Sequence, residues 1–202
     1  MNKQLTLINI LITAIFSFIL MTSPLTVGSH ESGMKASVFG IHYDEVMMDG
    51  LEAFYQTEWE NAESCFNLMK ELDPADPRGY FFSSMIPFWV YFFVDQSEES
   101  ANDFFNQSAK AIELAEEKLL SNPGDKMLIS MLSGLYGYQS LVASGENQIR
   151  TALRSGRTGF SYTKQLMEFD ESMPRLRLEK GYITIWLAVY QERYGGWSGF
   201  LD

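Results

Sequence analysis

The chain has 202 residues, of which 46% are hydrophobic and 14% aromatic, enough apolar material for one sizeable core and too much for a disordered tail. Its formal net charge of −11 argues against nucleic acid or an anionic membrane surface as the main partner. A single cysteine, Cys65, and two histidines, His30 and His42, exclude an intrachain disulfide and a cysteine- or histidine-based metal cluster, so no metal and no other cofactor is expected.

Residues 1–29 read as an address. Lys3 is their only charge, a mostly apolar run covers 5–21, Pro24 breaks it, and Gly28 and Ser29 offer the small residues of a peptidase site. Asn9, Thr13 and Ser17 interrupt the run, which favours a removable export signal. The run exceeds a typical signal core, so an uncleaved N-terminal anchor is the alternative and would be the chain's one membrane contact. No cysteine follows closely, which excludes lipoprotein anchoring. The expected location is periplasmic or in the cell envelope. Residues 30–42, polar and glycine-containing, are expected to form a linker, with His42 at the surface.

From residue 43 to 194 the periodicity is helical. Helices are expected over 43–56 and 58–72, with Thr57 and Glu60 in the form of a capping box and Pro74 ending the second. Cys65, inside that helix, is expected as a small buried hydrophobe. Asp76 followed by Pro77 is an N-cap residue ahead of a first-turn proline and opens a helix over 78–94, which Pro87 would kink. Further helices are expected over 98–121, over 126–143 with Asp125 as cap, over 146–171 with a break at 156–159, and over 175–194. Residues 195–202 form a tail, which leaves the last hairpin without a second helix: either a partner covers its apolar face, or the chain is shorter than its relatives. No stretch reads as a β-sheet.

The helical region repeats itself. Ala62, Phe66 and Pro74 return 49 residues later as Ala111, Ala115 and Pro123, and 51 residues further as Tyr162, Leu166 and Pro174. Two antiparallel helices approach closely only where one presents small side chains, which Gly50 and Ala62 supply while Phe66 fills the gap one turn on. In Gly50, Ala62, Phe66 and Pro74, and in Ile129, Leu132, Ser133 and Tyr136, the chain resembles the tetratricopeptide repeat family. It looks most like the divergent exported repeat proteins of the bacterial envelope that carry no recognisable catalytic domain. The resemblance, over roughly 43–194, implies an all-α protein, a right-handed superhelical stack of antiparallel helix hairpins. It also implies a protein or peptide partner in the envelope. The spacing exceeds the family's usual ~34 residues, Asp49 stands where a bulky apolar residue is expected, and Ala115 replaces an aromatic, so the middle and last hairpins should have longer helices.

Two stretches are candidate sites. "YFFSSMIPFWVYFF", 80–93, is uncharged and aromatic at nearly every turn. The resemblance puts such a helix on the concave face, where Tyr80, Ser84, Trp89, Tyr136 and Tyr138 would form a groove for an apolar peptide or small ligand. A helix hydrophobic all round is more often simply a central core helix. In "RSGRTG", 154–159, Arg154 and Arg157 flank a turn whose backbone N–H groups could take a carboxylate or phosphate, or simply a helix break.

No catalytic set is expected. The adjacent carboxylates Glu98 and Glu99, Glu116 and Glu117, and Asp170 and Glu171 diverge on a helix and read as solvated faces. The glycosylation triplet at Asn106 falls inside a predicted helix. The leading expectation is a non-enzymatic, exported interaction scaffold; a periplasmic small-ligand binder comes second, and a hydrolase or lyase third.

Overall fold

The computed structural model describes residues 36–169, and their side chains from His42 onward; they form helices joined by short turns, with no β-strand among them. The helices are α1 (Ala36–Tyr55), α2 (Trp59–Leu72), α3 (Pro77–Val90), α4 (Glu98–Ser121), α5 (Lys126–Gly145) and α6 (Ile149–Phe169), with a π-helical segment (Tyr91–Asp95) continuing α3. The export segment 1–29, Pro174, the helix expected over 175–194 and the tail 195–202 lie outside the described residues. The linker expected over 30–42 is shortened, because α1 already begins at Ala36. Gly40 has the lowest helix propensity between 36 and 42, and one glycine costs only about 1 kcal/mol.

The turns that follow α2 and α4 are built by the same local chemistry. Asp73 N–H donates to the Met69 carbonyl and Asp76 N–H to that of Asp73; 49 residues on, Asn122 donates to Lys118 and Asp125 to Asn122. Each turn ends on an aspartate that caps the next helix. Asp76 Oδ1 accepts from Arg78 N at 2.8 Å, and Asp125 Oδ1 from Met127 N and Leu128 N at 3.0 and 3.1 Å. The Arg78 guanidinium also grips the Asp76 carboxylate (2.8 Å), reaches Asp44 (3.3 Å) and lies over the Tyr43 ring (4.6 Å). Burial works against the Asp76 charge, yet the Arg78 bonds outweigh it and hold the carboxyl below its ordinary range.

The turns at the other end use left-handed residues instead. Thr57, Gln96 and Asn147 have φ of 61°, 47° and 58°. Around Thr57 the bonds Thr57 N→Phe54 O and Glu58 N→Ala53 O form the paired pattern of a Schellman cap, and Asn147 N→Ser144 O with Gln148 N→Ala143 O repeats it. The capping box expected at Thr57 is therefore absent. Thr57 closes α1, its hydroxyl donates to the Gln56 carbonyl, and α2 starts after Glu58 with no side-chain cap.

Within the unit Glu31–Leu166, each helix from α1 to α5 packs against the next, α3 touches α1 and α5 as well, and α6 meets α5 through Gly159 and interhelical hydroxyl bonds. The core runs through this interior: Phe66, Met69, Met85, Phe104, Ile129, Leu132, Leu135 and Val142 are fully buried, together with Ala62, Ala111, Ala115 and Ala152. Burying each of the larger side chains contributes about 1.5–3 kcal/mol. Cys65 is half-buried rather than buried. It sits at the edge of the α1–α2 contact, where a Cβ on Gly50 would lie 2.9 Å from its own.

The break expected at 156–159 does not occur, and α6 runs unbroken through Gly156 and Gly159. Gly159 serves packing instead. A Cβ there would stand 3.2 Å from Gly137 N, Ser133 O and Tyr136 Cβ, so its absence lets the α6 backbone lie against that of α5.

Candidate interaction surface

The residues expected to line one groove are not brought together. Ser84 is 0% exposed and its hydroxyl donates to the Phe81 carbonyl at 2.7 Å, which makes it a core residue. Tyr80, at the start of α3, lies half-buried under Lys70, whose Nζ is 5.6 Å from the ring centre. Trp89 lies more than two turns further along α3. Tyr136 and Tyr138 are two positions apart on α5, so the helical period turns them to different sides. Tyr138 packs on Phe88 with ring centres 4.8 Å apart, whereas Tyr136 stacks on Tyr162 of α6 at 6.0 Å.

Glu116, expected on a solvated face, is instead the centre of a strut across three helices. Its Oε1 accepts the hydroxyls of Tyr136 from α5 at 2.8 Å and of Tyr162 from α6 at 3.2 Å. Burial and then the Glu116 carboxylate push the Tyr162 hydroxyl up to about 12, and the Tyr136 hydroxyl also rises, with Arg154 opposing. Arg154 and Arg157 are exposed on the continuous α6, as are Arg150 and Lys164. A continuous helix spends its interior N–H groups on its own carbonyls, so the anion-binding turn expected there does not exist.

A different surface emerges where α1 meets α2 and α3 meets α4. Phe54 meets Tyr55, Trp59 and Trp89 edge-on with centroids 5.9, 5.2 and 6.3 Å away, and Trp89 stacks face to face on Phe93 at 5.0 Å. The π-helical segment that carries Phe93 is pinned on both sides. Tyr91 donates its hydroxyl to Glu146 Oε1 at 2.7 Å; burial, then this bond, raise its pKa. The Asp95 carboxylate accepts from Ser97 N at 3.0 Å and from the hydroxyls of Ser97 and Ser100, and the Ser97 N–H above all holds its pKa low. Between the pins, Phe93 and Val94 are 52% and 70% exposed. Exposed Glu52, Glu58, Asp95, Glu98 and Glu99 stand on the same elements, and neither 45–69 nor 79–109 contains a lysine or arginine. The sequence reading missed this surface because it continued an ordinary α-helix to 94. The available signal was "DQS" at 95–97, turn and cap residues that stop an apolar run while two of its large side chains still lack a core to enter.

Among the described residues no three His, Cys, Asp or Glu side chains are placed to hold a metal, and no helix is long and apolar enough to cross a membrane. In comparisons with known proteins, no protein-family model matches the chain, and no curated protein is similar to it in sequence.

Proposed function

We propose that the protein is an exported interaction scaffold, a tetratricopeptide-like, right-handed stack of helix hairpins that holds a protein or peptide partner in the periplasm or cell envelope. The observation that carries this reading is the recurrence of one turn at a spacing of 49 residues, backbone bond for backbone bond, after α2 and after α4. A repeated turn of this kind, with α3 against both α1 and α5, is what stacking of like hairpins produces, and proteins built so use their extended surfaces to bind other chains. Residues 1–29 supply the export signal in this reading. A small-ligand role gains nothing from the aromatic residues, which are packed against one another or dispersed.

The test is native mass spectrometry of the tagged full chain, chemically cross-linked in cells and purified from the envelope fraction of its own organism. A partner at fixed stoichiometry supports the scaffold. Recovery from the cytosol, or a bare monomer in the envelope, refutes it.

A further inference from the structure

Phe93 and Val94 are held in solvent by their own backbone. The π-helical segment is tied to the α5–α6 turn through Tyr91 and Glu146, and to the start of α4 through Asp95, Ser97 and Ser100. Beneath the exposed pair, Trp89 and Phe54 form a ring-to-ring floor reaching Trp59 and Tyr55, and Tyr55 is itself 46% exposed. An exposed apolar pair fixed on an aromatic floor is suited to serve as a contact surface.

The charges nearby say what it contacts. Asp95, Glu98 and Glu99 follow Val94 within five residues, and Glu58 directly precedes Trp59; all four are exposed. Lys70 and Arg78, the basic residues between 45 and 109, sit at the opposite end of the hairpins, on the α2–α3 turn side. We infer that this end of the molecule docks a basic amphipathic helix from a partner protein, its apolar face on Phe93 and Val94 and its Lys or Arg side chains over Glu58, Glu98 and Glu99. Apolar anchors at helical spacing would supply affinity, and these acidic side chains would disfavour acidic helices and speed encounter with basic ones. The inference rests on the scaffold reading and adds the site and the chemistry of the partner.

The experiment uses the full chain and two fluorescein-labelled synthetic peptides, a Leu/Lys amphipathic helix and its Leu/Glu counterpart, with affinity read by fluorescence anisotropy. The Leu/Lys peptide should bind at least ~10-fold more tightly than the Leu/Glu peptide, and less tightly as salt rises. Phe93→Ser with Val94→Ser should weaken it at least ~10-fold, with helix content by circular dichroism unchanged. Glu98→Gln with Glu99→Gln should flatten the salt dependence. Leu120→Ser, at an 84% exposed residue near the far end of α4, should bind as wild type. Equal affinity for the two peptides, or undiminished binding by the Phe93/Val94 variant, overturns the site. So does a wild-type dimer that the same variant dissociates, which would assign the patch to a second copy of the chain. Failure here together with a persisting cross-linked envelope complex would leave the scaffold intact with its contact elsewhere; loss of that complex in the wild-type chain would refute the scaffold itself.

Discussion

The first and third hairpins solve one problem with opposite chemistry. In α1–α2 a single side chain does the filling. A Cβ on Gly50 would lie 2.6 Å from Phe66 Cε1, so the glycine admits the ring, which is fully buried and also stacks on Phe82 at 5.5 Å. In α5–α6 no ring packs on the glycine that admits the neighbouring helix, although Tyr136 and Tyr162 stack between the two helices. Gly159 lies against Gly137 and Ser133, and the hydroxyls left at the interface bond across it. Ser140 Oγ donates to the Ala152 carbonyl at 2.7 Å, and Ser133 and Thr163 share a bond at 2.6 Å. Close approach of helices needs small residues in either case. Whether the remaining space goes to an aromatic ring or to hydrogen-bonded hydroxyls is a separate choice, with a different sensitivity to mutation.

That contrast can be broken most severely at Phe66. Phe66→Ala should cost about 3–5 kcal/mol, because it removes a ring and leaves a cavity bounded by helices that cannot collapse on it. Denaturant unfolding should show the midpoint falling with little change in slope. Gly159→Val comes next, at about 1–3 kcal/mol, since a branched side chain at 3.2 Å from the α5 backbone must push the helices apart. Thermal melts would register it, and Gly159→Ala should lose less. Ser140→Ala should cost only about 1 kcal/mol, one buried hydrogen bond, because the Ala152 carbonyl keeps its position in the α6 ladder. If Ser140→Ala proved as damaging as Phe66→Ala, the third hairpin would owe its stability to a polar network rather than to close approach.

The third hairpin also carries a pH dependence. Tyr162 is raised from 10.0 to about 12 by burial and the Glu116 carboxylate. A raised pKa means that the folded state holds the proton more tightly than the unfolded chain. Its contribution is therefore complete below pH 10 and is lost as pH rises from 10 through 12. Glu116→Gln should bring the Tyr162 ionisation, followed by absorbance at 295 nm, back toward 10; an unmoved midpoint would show that burial alone sets it.

Helix positions were largely legible, because caps and prolines act over a few residues. The 98–121 helix is found as expected, Asp76 and Asp125 cap as expected, and the 49-residue echo of Ala62 and Pro74 appears as a repeated turn. Thr57 was misread because a threonine before a helix looks like a cap unless its backbone is known to be left-handed. Gly156 and Gly159 were misread as a break because a glycine that weakens a helix and a glycine that admits a neighbouring helix are the same letter. The candidate groove failed for a similar reason. Periodicity says that Ser84, Tyr136 and Tyr138 lie on helices, but only the packing of α3, α4, α5 and α6 turns one into the core, one toward Glu116 and one onto Phe88.

By itself the sequence determined what short-range physics controls: helical periodicity, the aspartate-capped turns, the acidic balance and the small residues needed for close approach. The tertiary structure decided which glycine met a ring and which met a backbone, that Glu116 would collect two hydroxyls from helices far along the chain, and that Phe93 and Val94 would be left facing solvent. Those outcomes depend on which surfaces meet. The free energy of burial is settled by neighbours distant in sequence, and no local pattern encodes them.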